Sequence, residues 1–302
     1  MSMNVISVVY ALIIAIMIQI CSIFTQYDIN WYVCFLILVI LIVIPVRGIS
    51  PEDNMTDEIV ANHWNRRAEI YNHSVMREYG DRRTHEAWRE IYSEAVSGKS
   101  GKLMDCGCGP GTVTLYVSDL GFEITDYDQS PEMLKVARRN AETFGIEAEF
   151  VQGDAEEMPF DDETFDVIVS QNMMWTVPHP DKVLSEWYRV LKPGGCLVYV
   201  DGDWFNDPKK TPFRLKLSHF ITTFDRKKRE TRKERNERER MGNFSHLWSF
   251  DARRPRDDIV MAEAAGFRNI SVKNGLEKRA LHGMMYWRYG FIYNYFMVTA
   301  EK

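Results

Sequence analysis

The chain has 302 residues, of which 45% are hydrophobic and 26% are charged, and its formal net charge is −6. This size is sufficient for one full α/β domain with appended segments. Residues 99–203 carry 8 Lys/Arg and 20 Asp/Glu, a net charge of −12. Such a region would repel phosphate groups, so we expect no nucleic-acid partner. The five cysteines do not form a set with the spacing of a zinc site, so we predict neither a metal nor a disulfide.

The first segment, residues 1–47, is predicted to be a transmembrane hairpin. One apolar run covers residues 5–24, a second covers residues 31–46, and a short polar loop separates them. The first run has the ~20 residues that a spanning helix needs, and the second is long enough if the bilayer thins. A signal peptide is the alternative, but no Lys or Arg precedes the first run. Because Arg47 is the first positive charge, we expect a multi-pass protein held to the membrane by residues 5–46, with the remaining chain in the cytoplasm.

Residues 48–98 are predicted to form a linker followed by a helical region. Ser, Pro and Asp residues dominate residues 49–56, as is typical of a linker. From residue 57 onward, apolar side chains recur at spacings of three and four, and they include Trp64 and Tyr71. This period predicts amphipathic helices that pack on the following domain.

The stretch from Lys102 to Leu115 predicts a strand, a glycine-rich turn and a helix. Gly107 and Gly109 lie directly after Asp105, the last acidic residue of the apolar strand. Glycine lets the backbone turn sharply and approach a ligand closely, and the start of a helix offers unpaired N–H groups. The pattern alone is weak, because other tight strand-to-helix turns also use glycine.

A second strand ends in acid at Asp128, and Ser130 with Pro131 then begins a helix. An acid about 20 residues after the glycines is where nucleotide-binding α/β folds hold ribose hydroxyls. Further along, strands and helices alternate, which predicts a parallel sheet covered by helices on both faces. Strands are predicted at 102–106, 122–127, 148–152, 165–170, 196–201, 267–273 and 291–300, and helices at 111–119, 131–143 and 180–191.

Five motifs in order resemble the class I S-adenosylmethionine-dependent methyltransferases. They are LMDCGCGPG, DYDQSPEML, VQGDAEEMPF, FDVIVSQNMMWTVPHP and EWYRVLKPGG, and the resemblance covers residues 64–203. It implies a Rossmann-like, mostly parallel seven-stranded sheet over residues 99–302, with an antiparallel edge and an insertion at 206–250. It also implies the cofactor S-adenosyl-L-methionine and methyl transfer to a small-molecule or lipid-like acceptor.

The resemblance assigns cofactor contacts to individual residues. Gly107 and Gly109 would hold the methionine part together with Asp105, and Asp128 would bind the ribose hydroxyls. Asp126 is the rival of Asp128, but the motif favours Asp128. The remaining assignments are Asp154 and Ala155 at the adenine, Asn172 at the methionine or the acceptor, and Tyr71 as a lid over the methionine end.

Proton transfer is needed only if the acceptor is a weak nucleophile. Candidate bases are His179, in the loop after the fourth strand, and Asp203 or Asp201, after the fifth. Three aromatic residues near these positions leave three roles open: an acceptor pocket, a shield for the sulfonium, or core packing. They are Trp175, Trp204 and Phe205.

Residues 204–256 carry 16 Lys/Arg and 7 Asp/Glu, a net charge of +9, concentrated in residues 225–240. Acids spaced four residues from bases favour a solvated helix, and a surface facing anionic lipid is the alternative.

The function has an alternative too, since a fold that binds the cofactor can serve as a non-catalytic scaffold. The intact glycines and acids favour the enzyme. The sequence does not predict the oligomeric state.

Overall fold

The computed structural model describes residues 57–223 and 247–302. It begins with two helices, α1 (Asp57–Tyr79) and α2 (Arg82–Ala95). Asp81 caps α2, because its carboxylate accepts a hydrogen bond of 2.9 Å from the backbone N–H of Thr84. These helices occupy the segment predicted to be a helical lid.

Strands and helices then alternate through the domain. The strands are β1 (Lys102–Cys106), β2 (Glu123–Asp128), β3 (Glu149–Gln152), β4 (Phe165–Gln171), β5 (Leu191–Gly202), β6 (Arg268–Asn274) and β7 (Tyr295–Glu301). The remaining helices are α3 (Thr114–Val117), α4 (Pro131–Phe144), α5 (Pro180–Val190), α6 (Pro212–Thr223), α7 (Trp248–Asp251), α8 (Arg256–Ala264), α9 (Glu277–Ala280) and α10 (Gly283–Met285), followed by a π-helix at Tyr286–Gly290.

The seven strands form one sheet in the order β3-β2-β1-β4-β5-β7-β6. Strands β1 to β5 pair in parallel, and β7 is antiparallel to both β5 and β6. The predicted Rossmann-like seven-stranded sheet with an antiparallel edge is therefore confirmed. The parallel centre needs cover on both faces, which explains its almost continuous apolar strands.

Alternate side chains of the sheet enter two separate cores. Leu103 points to the face covered by α2, where Trp88 and Tyr92 are fully buried. Met104 points to the other face, against Trp187 of α5. This period of two along the strand is what lets one sheet carry helices on both sides.

Three predicted elements differ by three residues or more in their bounds, and one of them is the last strand, predicted at 291–300 and observed from Tyr295. The helix expected at 111–119 is confined to Thr114–Val117, because Gly111 has a φ of +82° and a right-handed helix cannot pass through that conformation. Strand β5 starts at Leu191, five residues earlier than expected. Leu191 pairs with Phe165 ahead of a register shift, so the segment 192–195 is incorporated into the strand.

The predicted multi-pass membrane localisation is corrected by the structure. Within residues 57–223 and 247–302, no helix is both long enough and apolar enough to cross a bilayer. The longest of these helices, α1, is interrupted by Asp, Glu and Arg side chains. The predicted hairpin at 1–47 and the basic run at 225–240 lie outside the described residues.

A buried ion cluster connects the end of β5 to α8. The guanidinium of Arg254, whose side chain is 1% exposed, donates to Asp201 at 2.9 Å and to Asp258 at 2.5 Å. The hydroxyl of Tyr199 donates to the same Asp258 carboxylate at 3.2 Å. Two carboxylates and one cation are thus desolvated together, and each charge is stable in the interior only while its partners remain.

Replacing Arg254 with Met should lower the free energy of unfolding by about 3–5 kcal/mol, because two buried carboxylates lose their counter-ion. Urea unfolding of the variant measures this change. The neighbouring exposed Arg253 provides the control, and Arg253→Met should shift stability by less than about 0.5 kcal/mol. Equal losses for the two variants would contradict a structural role of the cluster.

Candidate functional site

An open cavity of about 790 Å³ lies at the carboxyl ends of β1, β2 and β4. The position agrees with the general location of ligand sites in parallel sheets. Helix α1 covers one side with Trp64 and Tyr71, which both line the cavity. Both side chains belong to the segment that the sequence predicts to be a lid.

The glycine turn after β1 forms the floor of the cavity. Gly107 and Gly109 both have left-handed backbones, with φ of +68° and +55°. A Cβ at Gly107 would lie 2.6 Å from the side chain of Met173. The N–H of Gly107 donates to the carbonyl of Tyr127 at 2.7 Å, which fixes the turn against β2. Both the conformation and the close packing thus require glycine.

Asp128 lies at the end of β2 and lines the cavity. One carboxylate oxygen accepts from the N–H of Gly109 and the other from the N–H of Ser130, both at 2.8 Å. A carboxylate has about four acceptor positions, so two remain for a ligand. Burial raises the pKa of Asp128 to about 6, against the lowering effect of these two N–H groups. The side chain is mostly ionised at pH 7 and well placed to bind a pair of hydroxyls.

Asp126, the rival for this role, is fully buried below the turn and does not line the cavity. Its carboxylate bonds the hydroxyl of Thr114, which also lies 3.3 Å from the carboxylate of Asp105. One hydroxyl hydrogen can serve only one carboxylate, so the second carboxyl must itself be protonated to bond the same oxygen. Burial and the neighbouring charge raise the pKa of both groups, that of Asp126 to about 7.

Asp105 therefore lies elsewhere than the sequence interpretation placed it. Its side chain is fully buried and also accepts from the N–H of Thr114 at 3.2 Å, at the start of α3. It secures the two ends of the glycine turn rather than lining the cavity. The turn itself, with Gly107 and Gly109, is what the cavity meets.

The third strand brings Asp154 and Ala155 to the cavity, as predicted. Asp154 accepts from the N–H of Glu156 at 2.8 Å, and its carbonyl accepts from the hydroxyl of Tyr127 at 2.7 Å. A Cβ at Gly153 would lie 2.2 Å from that hydroxyl, so the tyrosine requires glycine there. Asp154 thus shapes its loop while lining the cavity.

Two neighbouring amides end β4 and face the cavity below the lid. Asn172 has a left-handed backbone with φ of +59°, an arrangement that asparagine tolerates better than most residues. Its amide bonds the hydroxyl of Tyr71, and burial raises the pKa of that tyrosine above its ordinary value. Gln171 accepts from the hydroxyl of Tyr92 at 3.0 Å. Each amide is thus oriented by a tyrosine from α1 or α2.

The sequence analysis named Asn172 but not Gln171, although Gln171 is the polar residue that directly follows the strand predicted at 165–170. It also missed Glu156, which lines the cavity. The carboxylate of Glu156 is 8% exposed and bonds both Lys182 and His179. Its partners come from α5 and the preceding loop, so spacing along the chain gave no indication of the contact.

The two predicted bases do not line the cavity. His179 is exposed, and its Nδ1 lies 2.8 Å from Glu156. The carboxylate of Asp203 accepts from the N–H groups of Phe205 and Asn206, at 3.3 and 2.8 Å, and so closes a turn after β5. Asp201 is held in the buried ion cluster. No group of three or more His, Cys, Asp or Glu suited to a metal was found in the described part of the chain.

Comparison with known proteins identifies similarity over the centre of the chain. Residues 104–199 match a family model described as a methyltransferase domain. The chain is 33% identical over 135 residues to demethylmenaquinone methyltransferase of Renibacterium salmoninarum, which covers 44% of this chain and 54% of that protein. It is 37% identical over 119 residues to phosphatidylethanolamine N-methyltransferase of Cereibacter sphaeroides, covering 38% and 58%. The chain thus spans little more than half of these curated relatives.

A solved structure supports the fold. A methyltransferase-like protein from Methanococcus maripaludis, described as putative and S-adenosyl-L-methionine-dependent, superposes with a TM-score of 0.51. The alignment covers 79% of this chain and 93% of that protein at 18% identity. At this identity the likeness concerns the arrangement of the sheet and helices.

The buried carboxyl groups below the turn should make stability depend on pH. Asp126 has a pKa of about 7 in the folded chain and the ordinary value of 3.8 when exposed. The contribution of this carboxyl to the unfolding free energy should therefore be complete below pH 4 and fall as pH rises through 7, by at most about 1.4 kcal/mol per pH unit. Asp126→Asn, which stays neutral, should reduce this fall between pH 5 and pH 8 in urea unfolding.

Glu123 is exposed on the same strand, so Glu123→Gln is the matched control and should keep the dependence of the unmodified chain. An Asp126→Asn variant with unaltered pH dependence would show that the two carboxyl groups do not share a proton.

Proposed function

We propose, from the methyltransferase domain that residues 104–199 form within this chain, that the protein transfers a methyl group from S-adenosyl-L-methionine to a small-molecule or lipid acceptor. The observation that carries the proposal is the set of polar groups at the cavity. A glycine turn, a carboxylate with two available acceptor positions and a second acidic loop lie at three adjacent strand ends. These groups match the three parts of the cofactor.

The residues present fit the cofactor part by part. We assign the ribose hydroxyls to Asp128, since both its oxygens retain an acceptor position towards the cavity. We assign the adenine to Asp154 and Ala155, on the loop after β3. We assign the methionine part to the backbone of Gly107 and Gly109, which lines the cavity. Tyr71 lies 3.6 Å from the Cβ position of Gly109 and so covers this end of the cavity.

The cofactor supplies a methyl group already activated by a positive sulfur. What the chain must add is orientation and exclusion of water. Trp64 and Tyr71 pack edge to face, with ring centroids 5.6 Å apart, and close the cavity from above. Asn172 meets the same tyrosine from the opposite side. The acceptor atom is thus brought to the methyl group between the lid and the end of β4.

The assignment of His179 and Asp203 as bases remains a prediction. Their contacts, to Glu156 and to the 205–206 turn, instead favour structural roles. We infer that the acceptor reaches the cavity as a nucleophile in its own right, such as a free amine or an electron-rich carbon. The relatives named for menaquinone and phosphatidylethanolamine indicate acceptors of small-molecule or lipid type.

A non-catalytic scaffold is the second function considered. Transfer of tritium from labelled S-adenosyl-L-methionine to an extract of cellular lipids and small molecules separates the two. We expect labelled product from the full chain. His179→Ala should keep its rate, without the loss of about 10²–10⁴-fold that removal of a general base causes. Cofactor binding without any labelled product would favour the scaffold, and a large loss in the histidine variant would restore its role as a base.

Cofactor affinity should depend on the charge of Asp128. Asp128→Asn should weaken binding of S-adenosylhomocysteine by about 10- to 100-fold, the range of hydrogen bonds to an ionised group. Because the pKa of Asp128 is about 6, affinity of the unmodified chain should be constant above pH 7 and fall as pH drops below 6. Titration calorimetry between pH 5 and pH 8 measures both effects.

Glu157 provides the control, since its side chain lies on the same face of the domain but is exposed and does not line the cavity. Glu157→Gln should bind like the unmodified chain. Unchanged affinity in Asp128→Asn would mean that the ribose lies elsewhere.

A further inference from the structure

Beside the cavity, four aromatic side chains form a continuous surface, which we name the aromatic wall. Trp64, on α1, belongs both to the cavity lining and to this wall. Its ring lies 6.3 Å from that of Trp175, and Trp175 in turn lies 6.4 Å from Trp204 and 6.1 Å from Phe205. These side chains are half-buried, whereas Trp88 and Trp187 in the two cores are fully buried. The wall thus continues from the cavity lining at Trp64 to partly exposed rings beyond it.

The wall is held in place by one buried carboxylate. Asp201 accepts from the backbone N–H of Trp175 at 3.0 Å and from the indole N–H of Trp204 at 2.9 Å. Its charge is balanced by Arg254 of the buried ion cluster. Gly202 follows directly, and a Cβ there would lie 3.1 Å from the Trp204 ring. A glycine at this position lets the indole fold back over the end of β5.

A second set of contacts comes from α7, at the end of the predicted insertion. The indole N–H of Trp248 donates to the carbonyl of Met174 at 2.9 Å, and the hydroxyl of Ser249 donates to the carbonyl of Trp175 at 2.6 Å. The loop after β4 is therefore fixed from both sides. A half-exposed ring can pack without this many hydrogen bonds to its loop. A surface that orients a reactant, in contrast, needs a loop held in one position.

Three charged groups beside the wall are engaged within the described part of the chain. Asp201 is paired with Arg254, and Asp203 accepts two backbone N–H groups. The ammonium of Lys210 donates to the carbonyl of Trp204 at 2.8 Å. His63, beside Trp64, has its pKa lowered to about 4 by burial and by Arg67 and Arg66, so it is neutral at pH 7. Among the described residues, the charges beside Trp175 and Trp204 are thus matched by protein groups, which favours a neutral reactant at these rings.

We propose that the aromatic wall is the acceptor subsite and that it takes a neutral acceptor with a flat or extended apolar body. Trp175 is the central specificity residue, since it contacts the other three rings. Asp201 is a positioning residue that acts through both tryptophans. The proposal rests on the proposed function, because it assigns the acceptor end of the same cavity.

The test uses the full chain saturated with S-adenosylhomocysteine and a neutral apolar probe, N-phenyl-1-naphthylamine, followed by its own fluorescence. We expect one probe site per chain. Trp175→Leu should weaken probe binding by about tenfold or more, since aromatic contacts add to the area buried. Phe213, which is 72% exposed on α6, gives the control, and Phe213→Leu should bind the probe normally. Binding of S-adenosylhomocysteine should be the same in all three proteins.

A second variant separates a role in recognition from a role in folding. Trp204→Phe keeps an aromatic ring but removes the N–H that donates to Asp201. It should lower the affinity for the probe, by less than Trp175→Leu does. The thermal unfolding midpoint and cofactor binding should stay unchanged. A Trp204→Phe variant that binds the probe like the unmodified chain would overturn the positioning role of Asp201.

The outcomes distinguish the two levels of the proposal. Failure of the unmodified chain to bind S-adenosylhomocysteine would refute the proposed function and not the wall alone. Normal cofactor binding with unchanged probe affinity in Trp175→Leu, or with loss in Phe213→Leu, would overturn the acceptor subsite. Displacement of the probe by millimolar tetramethylammonium would show that the rings select a cation, which also overturns the neutral acceptor.

Discussion

The site depends on the hydrogen bond between the N–H of Gly109 and the carboxylate of Asp128, which joins two neighbouring strand ends at 2.8 Å. The glycine turn follows β1 and the carboxylate ends β2, so this bond fixes the floor of the cavity relative to the side that carries Asp128. It also orients the carboxylate, because the second oxygen is held by Ser130 at the start of α4. A ligand that meets both the turn and the acid therefore meets a preformed arrangement.

The fold places several carboxyl groups in its interior and compensates each in a different way. Asp105 and Asp126 share the hydroxyl of Thr114, and their proximity keeps one of them protonated. Asp201 instead stays ionised beside Arg254. A shared proton removes one charge from a site that is already acidic, whereas the ion pair keeps a charge that can hold N–H groups of the loop above. These choices separate the cofactor end of the domain from the acceptor end.

The two ends are also built from different parts of the chain. The cofactor end comes from β1 to β4 and the residues just after them, within the range that matches the methyltransferase domain. The proposed acceptor end comes from α1, from the segment after β5 and from α7. The match to the methyltransferase domain, residues 104–199, thus ends before Trp204, Phe205 and α7.

The sequence by itself determined the sheet, the turn and the acids at the strand ends, because these depend on local spacing. A strand followed by Gly107 and Gly109 leaves the backbone few conformations, and Asp128 must lie at the carboxyl edge whatever packs around it. Tertiary structure decided the rest. Three acids lie at or near strand ends, namely Asp105, Asp126 and Asp128. Only the packing of Thr114 against Asp105 and Asp126 distinguishes these two buried carboxyl groups from Asp128, which lines the cavity. Likewise, Trp175 and Trp204 are 29 residues apart, and both donate to Asp201. This common partner is recognisable only after β4 and β5 have paired. Side-chain contacts between distant segments leave no periodic pattern in the sequence.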